Sequence, residues 1–213
     1  MFNWPWGTPK LGKYADSVSR DILIQSGRIL FVDDEDVPLI EQLKHAGLSV
    51  DHDRTGTSFE AQVNNQTYDV AILDHTGVGS SYGPAQGLDL LKFIRRVSPR
   101  TRIVAYTSKA LGSGASDFFR LADTVLAKDS GKRESLERVE EQLQKAFDKQ
   151  HLFDALMQKL AIASPSERDR LKGILEKGLR ARDQSKFREA LKKGVGFAAE
   201  KGVDIVLSRI FVS

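Results

Sequence analysis

Between residues 27 and 150 the chain repeats one pattern five times: a short extended run, then a stretch with helical spacing. The runs fall at 28–32, 48–52, 69–73, 102–106 and 124–127, each the right length for a buried strand. Helical stretches follow at about 37–46, 58–64, 88–97, 116–121 and 132–148, with Pro99 stopping the third. Glycine-rich loops, 77–86 and 111–115, precede the third and fourth helices. A parallel strand cannot follow its neighbour through a tight turn, so repeated β-α units imply one parallel sheet covered by helices on both faces.

Four of the runs end in polar residues: Asp33 and Asp34, Asp74, Thr107, and Lys128. In a doubly wound sheet the carboxyl ends of the strands open into one crevice, so these side chains converge. Three carboxylates packed together repel one another unless a hard cation sits among them, and Mg2+ prefers such oxygens. The hydroxyl and the ammonium would face any phosphoryl group brought there. That set is suited to placing a phosphate on a carboxylate.

The 213 residues allow one large domain, or one ordinary domain and a small one, and a 40% apolar content is enough for a core. There is no cysteine, which excludes disulfides, thiolate zinc sites and cysteine nucleophiles and suits the cytoplasm. The first 26 residues are broken by Pro5, Pro9, Asp16, Arg20 and Asp21, so no signal-peptide core is expected there. No window is long and apolar enough for a membrane span; even 195–212 carries Glu200, Lys201, Asp204 and Arg209. The net charge of +3 is uneven: residues 27–150 hold 16 basic against 19 acidic side chains, and residues 151–213 hold 13 against 8. We therefore divide the chain into an arm (1–26), an α/β domain (27–150) and a C-terminal module (151–213).

The C-terminal module reads as all-helical. Leu152, Phe153, Leu156 and Leu160 share a face; Leu171, Ile174, Leu175 and Leu179 form a second stripe, and Phe187, Leu191 and Val195 a third. Ser164, Pro165 and Glu167 give a helix start, as cap, first and third positions. The stretch 203–212 is too apolar for a solvated tail, and its β-branched content leaves helix and strand both open. Val195, Phe197, Val203, Ile205, Val206, Ile210 and Phe211 should either mediate self-association or dock on the helices from residue 151 onward.

The α/β part resembles the receiver domain of two-component response regulators. The resemblance covers about residues 27–150, a flavodoxin-like sheet of order 2-1-3-4-5. It lies in Ile29-Leu30-Phe31-Val32-Asp33-Asp34-Glu35, Val70-Ala71-Ile72-Leu73-Asp74, Gly87-Leu88-Asp89-Leu90-Leu91, Val104-Ala105-Tyr106-Thr107-Ser108 and Ala122-Asp123-Thr124-Val125-Leu126-Ala127-Lys128. It implies that Asp74 accepts a phosphoryl group from a histidine kinase, a phosphotransfer protein or a small phosphodonor. Asp34 and Asp74 would ligate Mg2+, with Asp33 acting mostly through water and the Thr76 backbone carbonyl as a further ligand. Thr107 would hydrogen-bond the phosphoryl group and Lys128 would pair with it. The chain would then be a cytoplasmic signalling switch, an enzyme only in its own phosphorylation and dephosphorylation. Output would pass through a homodimer or a partner protein by way of residues 151–213.

Four positions depart from the family pattern. Asp129 replaces the usual proline after the lysine; the loop after Asp74 is long and lacks the common Met-Pro pair; His75 follows the acceptor; and Val125 stands where many members carry a switching aromatic ring. The signal is therefore expected to travel through Thr107, Ser108 and 109–115, with Gly112 and Gly114 as hinges. His75 itself reads as a solvated loop residue, ahead of a regulatory base or metal ligand, and Ser80-Ser81 reads equally as a modification site or as part of a flexible loop. Trp4 and Trp6 are expected to pack the arm onto its own domain. Arg168, Arg170, Lys172, Lys177, Arg180, Arg182, Lys186, Arg188, Lys192 and Lys193 could track nucleic acid, making a DNA-binding regulator the alternative. Interleaved Glu167, Asp169, Glu176, Asp183 and Glu189 favour an ordinary solvated face.

Overall fold

The computed structural model describes Leu11 and residues 18–108, 117–195 and 201–212. Trp4, Trp6, Phe197 and the 109–115 loop with Gly112 and Gly114 lie outside the described residues, as does the Val195 side chain. Five strands, β1 (Arg28–Val32), β2 (Ser49–Asp53), β3 (Val70–Asp74), β4 (Arg102–Thr107) and β5 (Thr124–Ala127), form one parallel sheet in the order β2-β1-β3-β4-β5. The expected order is the observed one. Strand ends move by a residue: β2 runs on to Asp53, β3 includes Asp74 and β4 includes Thr107.

Alternation along the central strands makes two cores. Ile29, Phe31, Val70, Ile72, Val104, Tyr106 and Leu126 point to one face, packed by α2 (Pro38–His45) and α6 (Lys132–Ala146) through Leu39, Ile40, Leu43, Val139 and Leu143. Leu30, Val32, Ala71, Leu73, Ile103 and Ala105 point to the other, packed by Val63 of α3 (Glu60–Asn64), Leu90, Leu91 and Ile94 of α4 (Gly87–Val97), and Phe118 of α5 (Asp117–Leu121). Both faces being apolar is why the central runs carry no polar alternation.

One helix was not expected. Arg20–Ser26 forms α1, with Ser19 as its cap accepting a hydrogen bond from Ile22 N. Leu23 sinks into the first core, Arg20 pairs with Glu140 at 3.0 Å, and Gln144 Nε2 donates to Val18 O at 2.8 Å. The helix therefore straps the α2–α6 side of the sheet.

The helix expected over 132–148 ends two residues early. Helix α6 ends at Ala146, and Asp148 caps α7 (Lys149–Lys159) by accepting from His151 N at 2.7 Å, so residues 150 and 151 lie inside one helix. Next come α8 (Pro165–Ala181), α9 (Ser185–Val195) and α10 (Lys201–Ile210). Ser164 precedes Pro165 at the start of α8 as expected, but its hydroxyl meets that of Ser166 at 3.0 Å rather than capping the backbone. The tail is helical: Val203, Val206, Leu207 and Ile210 share a core with Leu152, Phe153, Leu156, Met157, Leu171, Leu175, Phe187 and Leu191. Their i, i+3, i+4, i+7 spacing is one helical stripe, and docking onto the preceding helices is what covers it.

The module is fastened to the sheet's amino-terminal edge. Asp69, fully buried, pairs with Arg100 at 2.5 Å and with Arg209 of α10 at 3.2 Å, and accepts from Arg28 N at 2.8 Å. Arg209 also donates to Ser26 O and lies over the Phe147 ring. His151 Nε2 meets Arg100 O at 2.7 Å. Among the described residues no helix is long and apolar enough to cross a membrane.

Candidate functional site

The site is built by the carboxyl ends of β1, β3, β4 and β5. Asp33 follows β1 with its carboxylate fully buried; Asp74 closes β3 and is 8% exposed; Asp34 is exposed beside them. One carboxylate oxygen from each lies within 4.8 Å of the others. Lys128, just past β5, bridges two of the three: its Nζ is 2.8 Å from Asp33 Oδ2 and 2.9 Å from Asp74 Oδ2. Burial works against the ammonium charge, but the hydrogen bonds and attraction of Asp33 and Asp74 outweigh it and push the Lys128 pKa up to about 12. Thr107 is buried at the end of β4, and its carbonyl accepts from Lys128 N at 2.7 Å. Asp33, Asp34, Asp74 and Lys128 therefore meet, with Thr107 on the adjoining strand end. Thr76, whose carbonyl was expected as a ligand, follows at an exposed position.

Local turns hold each acid. Asp33 Oδ1 accepts from Glu35 N at 3.0 Å, and Asp33 O meets His52 Nε2 at 2.9 Å. Arg54 reaches across to the Asp34 carbonyl at 2.8 Å and to Asp36 at 2.6 Å. Gly77 has φ +79° and lies so close to Asp34 that a Cβ there would fall onto the carboxylate. Gly87 packs as tightly on the backbone of Asp74 and His75, so no side chain fits where α4 begins. Tyr106 turns inward on Phe31, ring centroids 5.3 Å apart, and Lys128 Nζ lies 5.3 Å from its ring. Burial raises the Tyr106 pKa, Lys128 opposes this, and Asp33 and Asp74 add to it.

The long loop after Asp74 is pinned rather than flexible. Gly77 N donates to Gln86 Oε1 at 3.1 Å, Gly79 N to Thr55 O at 2.8 Å, and Tyr82 OH to Gly56 O at 3.1 Å, while Val78 is buried. Its anchor is the 53–58 turn, where Asp53 accepts from Thr55 N and Ser58 N. Burial opposes the Asp53 charge, but these backbone donors win and lower its pKa. His75 also departs from the expected solvated side chain. It is half-buried, its N–H donates to Asp74 Oδ1 at 2.6 Å, and its ring lies 4.8 Å from that of Phe118. Sequence reasoning missed His52, Arg54 and Gly77 because their roles arise from loops meeting across the sheet end.

A five-stranded parallel sheet of this order, with an acid trio and a lysine at its carboxyl edge, is a domain of the response-regulator receiver fold. Among solved structures, NtrX from Brucella abortus in complex with ATP is similar at a TM-score of 0.51 and 20% identity, over 72% of this chain and 35% of that one. The CheY-like receiver domain protein from Methanospirillum hungatei JF-1 has 25% identity and a TM-score of 0.47, over 56% of this chain and 95% of that one. A two-component response regulator from Clostridium difficile has 21% identity and a TM-score of 0.48, over 56% and 97%. No protein-family model matches the sequence, and no curated protein matches it. The likeness establishes the fold of the α/β part; the C-terminal helices are not identified by it.

Proposed function

We propose that the chain is a phosphorylation-dependent response regulator with Asp74 as phosphoacceptor. The observation that carries this reading is Lys128 Nζ held between Asp33 and Asp74 inside a three-carboxylate cluster. An Asp74 carboxylate oxygen attacks the phosphorus of a phosphodonor, and the donor's leaving group departs with the electron pair of the bond that breaks. Water later adds to the same phosphorus, releasing inorganic phosphate and restoring the carboxylate. Lys128 turns from the acid to the arriving phosphoryl oxygens, and the Thr107 hydroxyl donates to one of them. Mg2+, for which these hard oxygens are suited, would be held by Asp33, Asp34, Asp74 and the Thr76 carbonyl and would neutralise charge on the phosphoryl group.

The physiological donor in this reading is a histidine kinase or phosphotransfer protein. Output passes from the receiver to a homodimer contact or a partner protein. A nucleic-acid output is less favoured, because Arg168, Arg170, Arg188 and Lys193 pair with Asp154, Glu167, Asp204 and Glu189. Intact-mass spectrometry with Mg2+ and acetyl phosphate tests the reading. Wild type should gain one phosphate and Asp74→Asn none, with EDTA abolishing uptake. Equal uptake by both proteins would overturn the assignment.

A further inference from the structure

We propose that His75 is a positioning residue that ties the charge on the Asp74 carboxylate to helix α5 through the ring pair Phe118 and Phe119. Its physiological use rests on Asp74 being the acceptor; the coupling itself requires no phosphoryl group.

Three contacts of one residue carry the proposal. The His75 N–H donates to Asp74 Oδ1 at 2.6 Å, a short bond of the kind an ionised acceptor makes. The His75 carbonyl accepts from Gly87 N at 3.3 Å, which holds the backbone against the head of α4. Its ring lies 4.8 Å from Phe118 and 6.1 Å from Phe119, tilted against both, and those two rings meet edge to face at 5.6 Å. Phe118 is fully buried in the core shared by α4 and the sheet. Helix α5 has five residues, too few to hold its own conformation, so what Phe118 and Phe119 rest against sets its position.

When the Asp74 carboxylate becomes an acyl phosphate, or is replaced by an amide, the His75 backbone N–H exchanges an ionised acceptor for a neutral one and the bond weakens. With Gly87 N clamping the carbonyl of the same residue, the adjustment falls on the His75 side chain and the rings it touches. Val125 on β5 offers no ring, so among the described residues this is the aromatic contact that joins the acceptor to α5.

A cycle of variants of the full chain tests the coupling. In EDTA, amide exchange over 117–121 is compared between wild type and Asp74→Asn, then between His75→Ala and the double variant. We expect Asp74→Asn to change α5 exchange by at least about threefold, the size of a modest coupling within one contact network. In the His75→Ala background the change should vanish, and in His75→Phe, which keeps a ring on Phe118, it should return. A merely structural His75 would loosen α5 equally with Asp74 or Asn, and such additivity overturns the proposal. So does an unchanged α5 in Asp74→Asn. The same comparison with Mg2+ and beryllofluoride at equal occupancy reads the signalling use. Failure of wild type to bind the mimic, with the EDTA cycle still coupled, would sink the acceptor reading and leave His75 standing.

Discussion

Arg209 is where the helical module is held to the α/β domain, and replacing it by methionine isolates that attachment. Its side chain is 15% exposed, and its guanidinium pairs with Asp69, donates to Ser26 O and lies over Phe147. Removing one partner of a buried ion pair costs about 3–5 kcal/mol when the other charge is left alone. Asp69 is not left alone, since Arg100 and Arg28 N remain on it. What is lost is the charged hydrogen bonding of Arg209, and the Ser26 carbonyl loses this donor, so the lower value of about 2 kcal/mol applies. Methionine keeps the stem packed on Phe147, which excludes a cavity as the cause. For a chain of this size the loss lowers the melting temperature by about 4–8 °C. Urea unfolding of wild type, Arg209→Met, Asp69→Asn and the double variant should give a coupling of at least about 1 kcal/mol, since the residues touch. Exchange protection of α10 should fall more than that of β3. Additive losses, or an Arg209→Met protein that melts with wild type, would refute the claim that this pair fastens the module.

Three further outcomes are expected. Gly77→Ala places a side chain at φ +79° against Asp34, so it should cost about 1–3 kcal/mol in urea unfolding and weaken Mg2+ binding by titration calorimetry. His151, half-buried at the module junction, has its pKa lowered mainly by desolvation, with Arg100 O opposing. The unfolded chain then binds the proton more readily, so stability falls as pH drops below the ordinary histidine value of about 6.5. Calorimetric melting at pH 7.5 and 5.5 should show this, and a His151→Gln protein should show a smaller difference. Lys128→Met leaves three carboxylates without a counter-charge, so Mg2+ should raise its melting temperature more than that of wild type. Phosphate uptake from acetyl phosphate should fall at least about tenfold.

The sheet was legible because its central strands are covered on both faces, which writes them into the sequence as unbroken apolar runs such as Val70-Ala71-Ile72-Leu73. The acid trio and Lys128 were legible for the same reason: a polar residue ending such a run can only lie at the sheet's edge. What could not be read was decided by contacts between distant segments. Helix α1 has seven residues and one fully buried side chain, and it exists because the α2–α6 side receives it. Helices α6 and α7 part at Phe147 and Asp148 with neither glycine nor proline, two residues before the expected end, and Asp148 as a cap was the available signal. The β-branched residues of α10 left helix and strand open until the stripe of α7 decided it. His75 was misread because the sequence cannot say that Phe118 comes to lie beside it.

Asp69 immediately precedes strand β3 and Asp74 closes it, and the charges around the two are opposite. At the amino-terminal edge two guanidiniums, Arg100 and Arg209, surround the single carboxylate of Asp69, with Arg28 N as a further donor. That carboxylate is saturated, buried and over-neutralised, so neither a cation nor an electrophile has reason or room to approach it. At the carboxyl edge the balance is reversed. Three carboxylates share one ammonium, two negative charges stay in excess, and Asp34 stands open to solvent. Repulsion among them persists unless two positive charges arrive together, which is what a divalent cation supplies. The same residue type is therefore saturated with positive charge by Arg100 and Arg209 at one end of β3 and left among excess negative charge by Asp33 and Asp34 at the other. Exchanging those surroundings is the direct check: Arg100→Met should unfold the chain without touching the acid trio, whereas Asp34→Asn should stabilise the metal-free protein, by relieving repulsion, while weakening its response to Mg2+. A metal response unchanged in Asp34→Asn would refute this division of roles.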